Sequence, residues 1–217
     1  MFATVLNGAL GVHGASSTAG KTAVAFDGKN DTIDFGTKEA FEFKKGESFS
    51  ISLLLKISRS GADANFGLFT KGYAKAADNN FKNTSLYNLY LSSGKPWFMV
   101  LNRAGDSSLA KTTTSLSDNK WHHVVAVYDA EDAEIHIYVD GMLEKTETDV
   151  SPGGYGTDAG PLISGELAGN YYPGQLNDIR LYKKALSEAA VQNLYKGRQV
   201  EEGLVGWWPI SEGGGDV

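Results

Sequence analysis

The 217-residue chain contains no cysteine, so neither a disulfide framework nor a thiolate metal site is open to it. That absence fits a bacterial surface protein. Prolines number only 5 against 26 glycines, a balance that implies many tight turns. Basic residues are not in excess: 20 Lys and Arg against 26 Asp and Glu leave a net charge of −6. The lysines are scattered, which excludes the basic stripe that nucleic acid phosphates require. No apolar run approaches the ~20 residues of a membrane-spanning helix. Residues 1–9 lack the basic start and apolar centre of a secretion leader, so an exported parent would have shed its leader from this chain.

What is present points to strands. With 41% hydrophobic and 21% charged residues, the chain can bury one large core, and a single domain over 1–217 is expected. The stretch Trp121 to Gly141 holds two period-2 apolar runs split by the acidic turn Asp129 to Ala133. Trp121, His123, Val125 and Val127 fall on one face, with His122, Val124, Ala126 and Tyr128 on the other. Ile135, Ile137 and Val139 then alternate with Glu134, His136 and Tyr138, and Asp140-Gly141 supplies the pair that tolerates positive φ in a two-residue hairpin. This is a β-meander, and the fold class is all-β: an antiparallel two-sheet sandwich.

Elsewhere, Ala23 to Phe35 reads as strand, turn and strand. Ser48 to Ile57 is the longest apolar run and reads as a central core strand. Phe66 to Thr70, Tyr87 to Leu91, Trp97 to Asn102, Leu143 to Thr148, Pro161 to Ser164 and Gln175 to Tyr182 read as further strands. Ser187 to Lys196 is the one credible helix, short and C-terminal, with Ser187 as N-cap and Gly197 ending it. Residues 1–20 are a strand fragment and a loop.

Candidate ligand sites lie on loops, where a rigid scaffold carries function. Sugar binding asks for an exposed aromatic platform with planar polar groups. Tyr73, Asp78, Asn79, Asn80 and Phe81, on the long loop from Lys71 to Ser85, form one such set. Glu166, Asn170, Tyr171 and Tyr172 form another, expected at the same rim, although Tyr171-Tyr172-Pro173-Gly174 also reads as an ordinary turn packed on the sheet. Calcium is the expected metal, because only oxygen donors are plentiful and Ca²⁺ takes ~6–8 of them. Asp27, Asn30 and Asp31 cluster at one turn; the plainer reading is that Asp27 stabilises that turn. Catalysis has little support. A laminarinase-type glycosidase needs carboxylates ~5 Å apart, and Glu134-Ile135-His136-Ile137-Tyr138 keeps one acid but has imidazole and phenol where partners should be. His122 and His123 point to opposite sides and cannot chelate one ion together, and His123 is expected in the structure's interior. His136 would meet a ligand only if its face is the concave one.

The segments AVAFDGKNDTIDFG, FSISLLLKI, WHHVVAVYD, IHIYVDG and NDIRLYKKALSEAAVQNLYKG, in that order, resemble the laminin-G-like, pentraxin-like branch of the concanavalin A-like lectin/glucanase superfamily, over nearly residues 2 to 200. The resemblance implies a jelly roll of two antiparallel sheets with six or seven strands each, whose concave sheet often binds glycans or protein partners. It also implies a structural calcium near Asn177-Asp178 and Glu212, where the plainer reading pairs Asp178 with Arg180. The pentraxin two-calcium set is not matched, because the segment around Glu166 keeps only one acid. Residues 203–214 resemble the strand with which such domains begin, so residues 203–217 are expected either to close the sheet or to begin a following repeat. In either case Val205, Trp207 and Ile210 face the core and Trp208 the other side. The function implied is a non-catalytic, secreted or cell-surface adhesion or lectin-like module binding a glycan or a surface protein. The alternatives are an assembly module that self-associates by exchanging its terminal strand and, more weakly, a glycoside hydrolase.

Overall fold

The computed structural model describes residues 2–4, 23–57, 64–72, 86–149, 155 and 162–209. Its strands are β1 (Phe2–Thr4), β2 (Val24–Ala25), β3 (Thr32–Asp34), β4 (Phe49–Ile57), β5 (Asn65–Lys71), β6 (Leu86–Ser92), β7 (Lys95–Leu101) and β8 (Ser107–Lys111). They continue as β9 (Trp121–Asp129), β10 (Glu134–Val139), β11 (Met142–Thr148), β12 (Leu162–Ser164), β13 (Glu166–Leu167), β14 (Asn170–Tyr171), β15 (Gly174–Tyr182) and β16 (Leu204–Trp208), with helix α1 (Glu188–Tyr195) between the last two. One sheet runs β1-β3-β12-β5-β6-β7-β8. The other runs β11-β10-β9-β4-β15-β16, with β2 pairing the first part of β15. The expected two-sheet sandwich is therefore present. Among the described strands only β1 and β3 pair in parallel.

Alternation in the sequence becomes two faces in space. On β4, Phe49, Ile51, Leu53, Leu55 and Ile57 enter the core between the sheets, where Phe49 stacks on Phe43 at 4.2 Å and meets Tyr87 at 5.0 Å. Full burial of such side chains stabilises by roughly 1.5–3 kcal/mol each. The opposite face of β4 is also covered, by the segment leading into α1. The Ser50 hydroxyl donates to the Lys184 carbonyl at 2.7 Å and accepts from the Leu186 amide at 3.0 Å. Val191 and Leu194 of α1 pack with Val125, Val127, Tyr138 and Tyr182 in a second apolar cluster. Ser187 caps the helix, its side chain accepting from the Ala190 amide. Among the strands, β8 and the β13–β14 hairpin escaped the sequence reading, because neither short run alternates long enough to be read as a strand.

The terminal strand closes its own sheet, antiparallel to β15, and its facing differs from expectation. Trp208 and Val205 pack against the core, with Trp208 4.5 Å from Phe35 and 5.9 Å from Phe41, whereas Trp207 points outward. The reason is a register shift: Tyr182 pairs with Leu204 but Leu181 with Gly206, which leaves Val205 as the extra residue of a bulge. A bulge breaks the two-residue period. Gly206 then lies directly under the Trp208 ring, where a Cβ would come within 2.4 Å of it. Ile210 lies outside the described residues.

Candidate functional site

The two acidic and polar sets that are described meet at one end of the sandwich. β12 runs antiparallel to β5, with Leu162 opposite Lys71 and Ile163 opposite Thr70, so the chain leaves β12 beside the beginning of β5. There the Gly165 amide donates to the Gly67 carbonyl at 3.0 Å. The β13–β14 hairpin follows, closed by the Glu166 carboxylate accepting from the Gly169 amide. The turn at Asp27–Asp31 abuts it: a Cβ on Gly28 would stand 2.9 Å from Pro173, and one on Gly165 would stand 3.0 Å from the Asp31 carbonyl. Asn170 is exposed and Tyr171 half-buried. The set Tyr73, Asp78, Asn79, Asn80 and Phe81 lies outside the described residues. Its described flanks, Lys71 and Leu86, stand at the end of β5 and β6 away from the β13–β14 hairpin.

Tyr172 is corrected outright. It is fully buried, edge-on to Phe26 at 5.7 Å, and its hydroxyl donates to the Lys56 carbonyl at 2.9 Å. Glycine at 174 allows this, since a Cβ there would collide with the Tyr172 ring tip at 2.5 Å. The ring is core and cannot meet a ligand.

Among the described residues, the expected calcium donors Asp27, Asp31 and Asp178 are each already hydrogen-bonded within the protein. Asp27 accepts from the Lys29 amide at 2.8 Å, and Asp31 accepts from the Asp27 amide at 2.8 Å. The first bond, more than any other influence, holds the Asp27 carboxyl below its ordinary value. Asn30 is exposed beside them. Asp178 sits in the left-handed region at φ 48°, at a bulge in β15. One of its oxygens accepts from Trp207 Nε1 at 2.7 Å and Arg180 Nε at 2.8 Å, and the other accepts from Arg180 Nη2 at 3.0 Å. The guanidinium also lies 4.9 Å from the centre of the Trp207 ring. A carboxylate already matched to a fixed cation and an indole N–H is a poor Ca²⁺ ligand. Asn177 is buried next to it, and Glu212 lies outside the described residues. Among the described residues no three acids or histidines gather as a metal site.

A surface that the sequence reading passed over carries a row of aromatic side chains. On β6, Tyr87, Leu89 and Leu91 turn into the core, which places Asn88 and Tyr90 on the outer face of the helix-free sheet. The register Gly67, Tyr90, Trp97, Lys111 forms one row across four strands. Tyr90 meets Trp97 edge-on at 5.9 Å, and Lys111 Nζ stands 4.6 Å from the Trp97 ring centre. Tyr90 and Asn88 are buried at 6% and 1% exposure, Trp97, Met99 and Leu109 are half-buried, and Lys111 is exposed. In the adjoining row, buried Thr70 donates to Asn88 at 2.8 Å. Gly67 has no side chain because the hairpin's main chain lies across it: a Cβ there would be 2.2 Å from the Glu166 carbonyl oxygen. The hairpin thus forms a wall at the Tyr90 end of the row. The alternation of Asn88 and Tyr90 against Tyr87, Leu89 and Leu91 was the signal that could have revealed it.

The three described histidines behave as their phase requires. His123 is buried on the helix side, 2.9 Å from the Ser52 hydroxyl and stacked against Tyr195 at 6.2 Å, while His122 turns the other way. His136 lies on the outer face of the helix-bearing sheet, bonded to Thr146 at 2.9 Å and 3.7 Å from Glu134.

Comparison with known proteins adds the following. The chain is similar in structure to the binding domain of Paraclostridial Mosquitocidal Protein 1, with 18% identity, a TM-score of 0.64, and coverage of 80% of this chain and 42% of that one. It is also similar to the ligand binding domain of botulinum neurotoxin serotype D in complex with N-acetylneuraminic acid, with 17% identity, a TM-score of 0.62, and coverage of 83% and 43%. A third is the CBM40 of the Ruminococcus gnavus IT-sialidase, with 14% identity, a TM-score of 0.59, and coverage of 81% and 97%. The chain spans less than half the length of the two toxin domains. No curated protein matches it in sequence. The model of the laminin G-like family described as the concanavalin A-like lectin/glucanases superfamily matches residues 27–192, and the chain belongs to that family.

Proposed function

We propose that the chain is a non-catalytic carbohydrate-binding module of a secreted or cell-surface protein, and that its ligand lies along the outer face of the helix-free sheet. The observation that carries this reading is the row Tyr90, Trp97, Lys111, ending at the hairpin that presents Asn170 and Tyr171. A partly exposed indole offers a sugar ring an apolar face, and the Lys111 ammonium beside it and the exposed Asn170 amide on the hairpin offer donors to hydroxyl or carboxylate oxygens. The toxin domain's complex with N-acetylneuraminic acid supports an acidic sugar as the first ligand to try, and exposed Lys111 suits one. Glu134 has His136 and Tyr138 as its alternate neighbours on β10 instead of a second acid, which supports a module without hydrolytic chemistry.

The test is a glycan-array screen of the chain that includes sialylated and neutral glycans, with Trp97→Ala and Lys111→Ala alongside. Binding to a defined glycan class that both variants lose supports the reading. Binding that neither variant alters would place the ligand elsewhere, and no binding on the array would count against a carbohydrate ligand. A protein partner is a second reading, favoured by Met142, Leu143 and Tyr195, which are 65%, 48% and 50% exposed.

A further inference from the structure

We propose that His122 is the centre of a pH-sensitive clasp that fastens the loop between β8 and β9 to the turn between β10 and β11. The geometry is a doubly bridged imidazole. Nδ1 lies 2.8 Å from Asp140 Oδ2, and Nε2 lies 2.9 Å from Asp118 Oδ1. Each carboxylate has a second task that fixes its position. Asp140 Oδ1 accepts from the His123 amide at 2.9 Å, and Asp118 Oδ1 accepts from the Lys120 amide at 2.9 Å. The imidazole side chain is 14% exposed, whereas its Asp118 and Asp140 partners are 39% and 36% exposed, so a mostly covered ring is held between two carboxylates that remain open to water.

Two acceptors on one imidazole demand two N–H donors, and only the protonated ring has both. With the proton removed, one nitrogen presents a lone pair to a carboxylate, and one bridge must open. Asp140 is the better anchored, at φ 50° in the tight turn and tied to the His123 amide. Asp118 has a ready alternative in Lys120, whose ammonium is 3.3 Å from its other oxygen. The Asp118 bridge is therefore the one that opens.

The charged groups acting on the ring are the two aspartates, with Lys120 reaching Asp118 from the same loop. From β4 the residue paired with His122 is apolar Leu55. Burial alone would push the imidazole down, yet the bonds to Asp140 and Asp118 together raise it above its ordinary 6.5, and Asp118 is drawn down to about 2, chiefly by His122. A raised histidine stabilises fully below 6.5 and loses that contribution as pH rises through its folded value. A lowered aspartate stabilises above 3.8 and loses that contribution as pH falls through about 2. Both describe one interaction, strongest between about 4 and 6.5.

The loop the clasp holds adjoins the proposed sugar face. It begins after Lys111, its Leu116 amide donates to the Gly94 carbonyl at 2.8 Å, and Ser117 fills the space where a Cβ of Gly94 would be. Gly94 is the turn that leads into β7 and Trp97. The clasp stands on the His122 geometry alone; its influence on ligand binding rests on the reading of the sugar face.

The test is an NMR titration of the ligand-free chain from pH 4 to 9. The His122 ring resonances are expected to titrate with a midpoint above 6.5, and the amides of Asp118, Asn119 and Lys120 to shift with the same midpoint while those of β4 stay still. Asp118→Asn, a change at an exposed loop position, should lower the midpoint and uncouple the loop amides. A His122 midpoint at or below 6.5, or loop amides that ignore the titration, overturns the clasp. Binding of the array-identified glycan, measured at pH 5.5 and 8.5, separately tests whether the clasp acts on the sugar face: equal affinities with the clasp intact would break that link alone.

Discussion

Replacing Asp178 by alanine removes the acceptor on which β16 is latched. The carboxylate receives two bonds from Arg180 and one from Trp207 Nε1, and Arg180 is only 8% exposed. Breaking a buried pair costs about 3–5 kcal/mol, because the remaining charge is left without a partner. Here the Asp178 side chain is 30% exposed and the Arg180 side chain 10%, so water screens part of the attraction and the expectation falls to about 2–3 kcal/mol. For a chain of this size that is a loss of roughly 5–10 °C in Tm. Asp178→Asn keeps an acceptor for the indole and tolerates the left-handed backbone, so about 1–2 kcal/mol is expected. The assay is urea and thermal unfolding followed by tryptophan fluorescence. An alanine variant within 0.5 kcal/mol of wild type, or an asparagine variant as damaged as the alanine one, would refute the latch. A chelator tests the rival directly: if Asp178 held calcium instead, EDTA would lower the wild-type Tm, and the ion pair predicts no change.

Tyr172→Phe removes the hydrogen bond to the Lys56 carbonyl but leaves the ring in place, so a loss of about 1 kcal/mol in urea unfolding is expected with no change in ligand affinity. Gly67→Ala forces a methyl group against the Glu166 carbonyl; a cost of about 1–3 kcal/mol is expected, with NMR shifts concentrated in Glu166–Tyr171. Trp208→Ala removes the ring's contacts with Phe35, Phe41 and Phe69 and should destabilise by about 2–4 kcal/mol, and it should do so at every protein concentration, because the strand closes its own sheet. A loss of stability that vanishes on concentrating the protein would favour strand exchange between copies.

Much of the sandwich was legible because its strands obey a period of two. Phe49, Ile51, Leu53 and Leu55, or Ile135, Ile137 and Val139, announce a buried face without any knowledge of partners. The helix was legible from its cap at Ser187 and from the spacing of Val191 and Leu194. What failed was whatever depends on a single inserted residue or on another strand. The bulge at Val205 exchanged the facing of Trp207 and Trp208, and no pattern within residues 203–210 encodes it. Tyr172 looked like a rim aromatic because its neighbours are polar, yet Phe26 and Phe66 from distant segments enclose it. The Asp178 pairing with Arg180 was foreseen, since both lie on one strand. Trp207's part in it was not, because that contact crosses to another strand. The Tyr90–Trp97 row was hidden for the same reason: each aromatic reads as strand filler until the register places them side by side.

The central claim is that sugar is bound on the Trp97 face, and calorimetry tests it most directly. Affinity for the glycan selected on the array would be measured for wild type, Trp97→Ala and Tyr172→Phe at one pH. Loss of the indole's stacking and buried area should weaken binding at least about tenfold, or ~1.4 kcal/mol, with Tyr172→Phe unchanged. An affinity unchanged in Trp97→Ala would contradict the account.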